Sequence, residues 1–281
     1  MAHSSKTERG LAFALSQTHN PIPMAQHDSS SGTAASQQTT PPPSRAVLVT
    51  GASGGIGRAL CLAFAKARWS IGVHYFQNKN AAEETIRQIE ETGSAGALLQ
   101  ADIRDQQAVR QMIESYFRRA AAPFTFVCNA GIGTSRLVLR QDEADWANVM
   151  ATNLTGTFHC LQAMAPPLLA QGGGSIIVIG SHAGFHGSIG QAAYAASKAG
   201  LIGLVKTAAR EWGPENLRVN LVLPGWQKTG LSEGAMPERD GWSDNALCRP
   251  ASIDEVASTV LYLAQLKDVS GQVWNCDSRN L

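Results

Sequence analysis

The sequence predicts an α/β protein: one doubly wound parallel sheet of about seven strands with helices on both faces. Three observations predict it. From Arg45 onward short β-rich runs alternate with segments of helical period, the pattern of βαβ units. The runs are apolar throughout, as in strands covered on both faces. A glycine-rich turn joins the first run to the first helix, where such folds bind ligands.

In order along the chain, residues 1–44 are rich in Ser, Thr, Gln and Pro and end in Thr39-Thr40-Pro41-Pro42-Pro43-Ser44. Such a segment buries too little apolar surface to offset its ordering entropy, so a disordered tail is expected. Its one apolar patch, Leu11–Leu15, is shorter than the ~7–15 residues of a secretory signal. The expected strands are Ala46–Thr50, Ile71–Phe76, Ala97–Gln100, Phe124–Cys128, Ser175–Ile179, Val219–Leu223 and Gln272–Trp274. Helices are expected from Arg58 to Lys66, around Asp145–Leu161 and from about Gln191 to Trp212. Val109, Met112, Ile113, Tyr116 and Phe117 form a further apolar stripe at helical spacing. Residues 45–281 are therefore read as a single domain.

Composition excludes several functions. The 281 residues carry 23 basic and 22 acidic side chains, a net charge of +1, with no long basic run. That balance argues against nucleic acid or an anionic membrane as the main partner. No apolar run approaches the ~18 residues of a membrane span. Five scattered cysteines without a Cys-x-x-Cys pair fit neither a disulfide framework nor a zinc site, and point to a reducing compartment, the cytoplasm.

The first strand ends in Thr50-Gly51-Ala52-Ser53-Gly54-Gly55-Ile56-Gly57. Glycines here let backbone approach a pyrophosphate, and the following helix N-terminus offers unpaired N–H groups and a positive dipole end. Any tight turn uses glycine, so the context of strand and helix carries this reading. The second signal is Tyr194-Ala195-Ala196-Ser197-Lys198. Residues i and i+4 share a helix face, so an ammonium stands near a phenol and favours its ionised form. A surface Tyr/Lys pair has the same spacing. His182 and His186 are also four apart, but Gly184 and Gly187 disfavour a helix, so they are read as loop residues and no metal is expected.

Taken together, Thr50-Gly51-xxx-Gly55-x-Gly57, Asn129-Ala130-Gly131, Asn153, Ser181, Tyr194-xxx-Lys198 and Pro224-Gly225 resemble, in order and spacing, the short-chain dehydrogenase/reductase family. The resemblance spans Arg45 to Leu281. Val73–Asn78, Ala101–Arg104 and Ser270-Gly271-Gln272-Val273 are most similar to the 3-oxoacyl-[acyl-carrier-protein] reductase group.

The resemblance implies a Rossmann-type fold and a catalytic set of Asn153, Ser181, Tyr194 and Lys198. In it Ser181 bonds the substrate oxygen and Tyr194 gives a proton to the carbonyl oxygen. Lys198 holds the nicotinamide ribose, and Asn153 anchors a water that relays protons to Lys198. The cofactor would lie along Gly51, Ser53, Gly55, Ile56 and Gly57, beside Asp102, Ile103, Asn129, Ala130 and Gly131. Pro224, Gly225 and Thr229 would approach the nicotinamide. Plain turns explain Asn129–Gly131 and Ser181 equally well, and a helix cap explains Asp102. The segment Gly225–Asn245 is expected to form a substrate lid.

An NAD enzyme of this fold carries Asp or Glu at the end of the second strand, bonding the ribose 2′-OH. Here His74-Tyr75-Phe76-Gln77-Asn78-Lys79 stands there, favouring NADP(H) over NAD(H), with His74, or in another register Tyr75 or Phe76, at the carboxylate's place and Asn78 or Lys79 meeting the 2′-phosphate. Gly54 argues the other way, standing where many NADP-preferring relatives carry a basic residue. The expected reaction is reduction of a ketone, an acyl-carrier-protein-borne or CoA-borne 3-oxoacyl thioester or another small molecule, by a homotetramer. A dehydrogenase of a sugar, steroid or other secondary alcohol is the alternative enzyme, and a dinucleotide-binding regulator without turnover the alternative outside enzymes.

Overall fold

The computed structural model describes residues 45–119, 124–232, 242, 244–279 and 281. The expected tail, residues 1–44, and most of the tip of the expected lid lie outside the described residues.

Strands β1 (Ala46–Val49), β2 (Ser70–Tyr75), β3 (Gly96–Gln100), β4 (Phe124–Cys128), β5 (Gly174–Ile179), β6 (Leu217–Leu223) and β7 (Val273–Asn275) form one parallel sheet in the order β3-β2-β1-β4-β5-β6-β7. Strands β1, β2, β3, β5 and β7 differ from the expected bounds by one residue at one or both ends, β4 is as expected, and β6 gains two residues at its start. β1 is paired on both sides, Ala46 with Ser70 and with Phe124. The strand order reverses between β1 and β4, opening a crevice at their carboxyl ends.

Alternation along each strand divides the core in two. Ala46, Leu48, Phe126, Ile176 and Val178 point toward α3 (Gln106–Phe117), α5 (Gly156–Ala170) and α7 (Ala192–Trp212). Val47, Val49, Val127, Ile177 and Ile179 point toward α1 (Gly55–Lys66), α2 (Lys79–Glu91) and α8 (Ile253–Gln265). Because both faces are covered, the strands carry no polar face to read. Caps fix where helices begin. Asp105 accepts from the N–H groups of Gln107 and Ala108 at α3, and Asp142 from Asp145 N–H at α4 (Glu143–Met150).

Two helical expectations are corrected. The helix expected around Asp145–Leu161 is α4 and α5 joined by a wider π-type turn over Ala151–Thr155, with Asn153 inside it. The His182–His186 segment is not a loop: α6 (Ala183–His186) makes one helical turn, stacking the two imidazoles with centroids 5.6 Å apart. Gly184 does not break it. A side chain there would strike the α7 backbone at Ala199 N, 2.8 Å away, so glycine lets α6 lie on α7.

Candidate active site

The turn after β1 is held from three sides. Thr50 Oγ1 accepts from the N–H groups of Asn129 (2.9 Å) and Ala130 (3.0 Å), and Asn129 Nδ2 donates to the carbonyls of Thr50 and Gly51. Arg58 Nη2 donates to Ser53 O and Ala81 O, and Thr85 Oγ1 donates to Ala52 O, bracing the turn against α2. The third support is His74. Its Nδ1 accepts from Gly51 N–H at 3.1 Å, which leaves the proton on Nε2 to reach Ala101 O at 3.1 Å.

That corrects the reading of His74 as a ribose contact: the ring is buried and both nitrogens are used in the frame. Burial pushes its pKa down to about 4, so it is neutral at pH 7. Asn78 accepts from Ala81 N–H as the cap of α2, and Lys79 pairs with Glu83 at 3.2 Å on the exposed surface. The first exposed side chain past β2 is Phe76, and the Arg104 guanidinium lies 5.5 Å from its ring centroid. Arg104 also donates to Asp102 through Nε and Nη2, holding that carboxyl below its usual range, and to Asn148 Oδ1 at 2.9 Å. Ile103 is buried against Gly156.

The cradle fits a dinucleotide. A Cβ at Gly57 would lie 2.7 Å from Asn129 Nδ2 and run into the Gly51 carbonyl, so only glycine allows the turn to close this tightly. Among the described residues nothing lies within 4 Å of where a Gly54 side chain would begin, and no side chain caps the N-terminus of α1. Open space before uncapped N–H groups is what a pyrophosphate requires. Thr229 stands over the turn, its Cγ2 2.9 Å from where a Gly55 side chain would begin.

Ile56, Ser181, Tyr194, Pro224, Gly225 and Thr229 share the wall of one cavity of ≈ 510 Å³. Asn153 and Lys198 stand outside that cavity, both buried, with Gly131 beside them. Asn153 is clamped at every side-chain atom that can bond. Its Oδ1 accepts from Ile132 N–H at 2.8 Å, while Nδ2 donates to Ile132 O at 2.8 Å and to Ser197 Oγ at 3.0 Å. Ser197 in turn donates to Tyr194 O. Lys198 Nζ donates to Ile179 O at 2.8 Å and lies 5.7 Å from the Tyr194 ring centroid; burial lowers its pKa to about 8.

The Tyr194 phenol departs from the expectation that its lysine would favour ionisation. Burial raises its pKa, and a hydrogen bond with Ser181 only partly offsets that. Tyr194 is thus held in its protonated form at neutral pH, the form able to donate. Thr50, Ser197 and Arg104 stood inside the quoted motifs, but their spacing gave none of the contacts they make in this frame, and nothing in the sequence pointed to the Arg58 brace.

Two hydroxyls, Ser181 and Tyr194, with the Lys198 amine behind them and a glycine cradle alongside, at a sheet's switch point, define a dinucleotide-dependent oxidoreductase. Residues 45–240 match the family model for short chain dehydrogenase, and the chain belongs to that family. It is a nicotinamide-dinucleotide-dependent enzyme interconverting ketones and secondary alcohols. The chain is similar to the 3-oxoacyl-[acyl-carrier-protein] reductase FabG of Staphylococcus aureus, 36% identical over 233 residues covering 82% of this chain and 95% of the relative. The Staphylococcus epidermidis protein of the same name is 36% identical over 82% of this chain and 96% of its own length. The 3-oxoacyl-[acyl-carrier-protein] reductase of a Synechocystis species is 37% identical over 83% and 96%. Among the described residues no helix is long and apolar enough to cross a membrane, and no cluster of three or more His, Cys, Asp or Glu is placed to hold a metal.

Proposed function

We propose that the protein reduces the keto group of 3-oxoacyl thioesters, carried on acyl-carrier protein or CoA, using NADPH. The observation that carries this reading is that Ser181 and Tyr194 share one cavity wall beside the glycine turn. The relatives' printed names supply the substrate class.

The pyrophosphate would be held by the turn Gly51–Gly57 and the N-terminus of α1, with Asn129, Ala130 and Gly131 alongside. Pro224, Gly225 and Thr229 would face the nicotinamide, and Lys198 its ribose. When bound, the reduced nicotinamide supplies a hydride. Ser181 and Tyr194 then orient the substrate carbonyl oxygen, and Tyr194 gives up its hydroxyl proton to that oxygen as negative charge develops on it. Lys198, lowered toward neutrality by burial, stabilises the tyrosinate left behind. Asn153 holds the Ile132 backbone with both side-chain atoms, and the second lone pair of its Oδ1 would take the water through which the proton is restored.

NADP is favoured because Phe76-Gln77-Asn78-Lys79 contains no carboxylate to repel a 2′-phosphate, and Arg104 stands over Phe76 as a cation near that position. The exposed Trp146 and Phe158 on α4 and α5 support a homotetramer. Five free cysteines support a cytoplasmic setting. The test is loss of NADPH absorbance with purified full-length protein and acetoacetyl-CoA. No turnover with that thioester or its N-acetylcysteamine counterpart would reject the reading.

A further inference from the structure

The wall of the cavity beyond Ser181 is polar. His182, His186 and Arg279 line it, brought from the turn after β5 and from the segment after β7. Arg279 is built in. Asp277, whose side chain is fully buried, accepts from Arg279 Nε at 2.8 Å, from Nη2, from the Arg279 N–H at 3.1 Å and from the Asn245 amide. The guanidinium is thereby held from behind, with its side chain still 20% exposed. Its Nη1 has no partner among the described residues.

His182 adjoins Ser181 and is buried. Burial, reinforced by the Arg279 charge, holds its pKa below the usual histidine value, and its Nε2 has no hydrogen-bond partner among the described residues. Gly225 closes the arrangement: a side chain there would lie 2.8 Å from Asp277 Cγ. Asp244 also lines the cavity but is exposed, where solvent screens its charge.

Burying an aspartate to fix an arginine is a weak way to gain stability, since well-packed apolar residues often do as well. An oriented guanidinium with an unused edge is instead suited to a planar oxyanion. A hydrocarbon tail laid on this wall would strip water from polar groups and return nothing.

We propose that Arg279, with His182 beside it, anchors a carboxylate carried by the substrate, so that the ketones this site takes are acid-ended 3-oxoacyl chains or oxo acids. The inference rests on the ketone-reductase reading above.

The test compares two thioesters of equal length, 3-oxohexanoyl- and 3-oxoadipyl-N-acetylcysteamine, which differ in ending with a methyl or a carboxylate. In the wild type kcat/KM should favour the carboxylate by at least about tenfold, and Arg279→Met should bring the ratio near one. Because Arg279→Met strands the Asp277 carboxylate, the double variant Asp277→Asn/Arg279→Met serves if the single one does not fold. Equal or better turnover of the methyl-ended substrate, or a ratio indifferent to Arg279, overturns the proposal. Thermal melts with adipate and NADPH separate this from the reductase reading. If neither thioester turns over, that reading fails, while a melting-temperature rise with adipate in the wild type, absent in the variants, still supports the carboxylate anchor; no rise overturns it.

Discussion

The dinucleotide crevice and the substrate wall are made in different ways. The crevice is backbone geometry: Gly57 and Gly51 in close approach, Thr50 and Asn129 tying two strand ends together, an uncapped helix start. Nearly all of it lies within a few residues of β1 or β4. The wall is side-chain chemistry gathered from after β5, β6 and β7, with Ser181, Gly225 and Arg279 far apart in the chain. Where backbone meets backbone, as at Gly51 and Gly57, no added atom is tolerated, whereas a region made of side chains can change specificity while keeping its frame.

The largest effect should fall where the two regions meet. Tyr194→Phe keeps the ring and removes the proton donor, so turnover should fall by at least ~10², the range of general acid catalysis. Cofactor binding, followed by quenching of protein fluorescence, should change little. Turnover close to wild type would show that the phenol is not the donor.

Next is the crevice itself. Gly57→Ala forces a methyl group against Asn129 Nδ2 and the Gly51 carbonyl, and overpacking of this kind costs about 1–3 kcal/mol or more. Gly54→Ala meets open space and should leave the melting temperature almost unchanged. Equal melts for the two variants would contradict a crevice fixed by close backbone approach.

This contrast explains what sequence made legible. The strand positions, the glycine turn and the Tyr194/Lys198 pair are local patterns whose spacing carries their geometry. The end of the second strand left His74, Tyr75 and Phe76 open as the carboxylate's place, because pleating, which a run of residues does not display, decides which side chain turns inward. His74 turns to Gly51 N–H and Ala101 O, and Phe76 is the exposed one. The α6 turn was missed because Gly184 serves contact with α7, a tertiary reason no local pattern displays. Arg279 and Asp277 had no local signal, since their meaning comes only from the cavity they reach.

His74 also couples the crevice to pH. Its pKa is about 4 in the fold against an ordinary 6.5, so between those values the unfolded chain binds more protons. The contribution to stability is full above about pH 6.5 and lost as pH falls toward 4, reaching about 3 kcal/mol by the latter. Urea melts of the wild type should therefore weaken across that window. In His74→Asn the slope between pH 6.5 and 4 should be shallower; an unchanged slope would place the titration elsewhere.

The smallest effect concerns cofactor choice, and it tests whether this edge of the crevice can be retuned like the wall. Asp at position 74 is the wrong variant, because the buried ring there holds Gly51. Phe76→Asp puts a carboxylate at the first exposed position after β2, within reach of Arg104. It would repel a 2′-phosphate, draw Arg104 away from it and accept hydrogen bonds from an unphosphorylated ribose, combining repulsion with attraction. The NADPH/NADH ratio of kcat/KM should shift toward NADH by at least about tenfold, since one charge-assisted contact is worth roughly 1.5–3 kcal/mol. Arg104→Ala should weaken binding of adenosine 2′,5′-bisphosphate more than that of 5′-AMP. Lys79→Ala, which removes only an exposed pair with Glu83, should change the ratio by less than about twofold. A larger response to Lys79 than to Arg104 would return the 2′-phosphate to the start of α2, and an outright NADH preference in the wild type would overturn the NADP reading of this strand end.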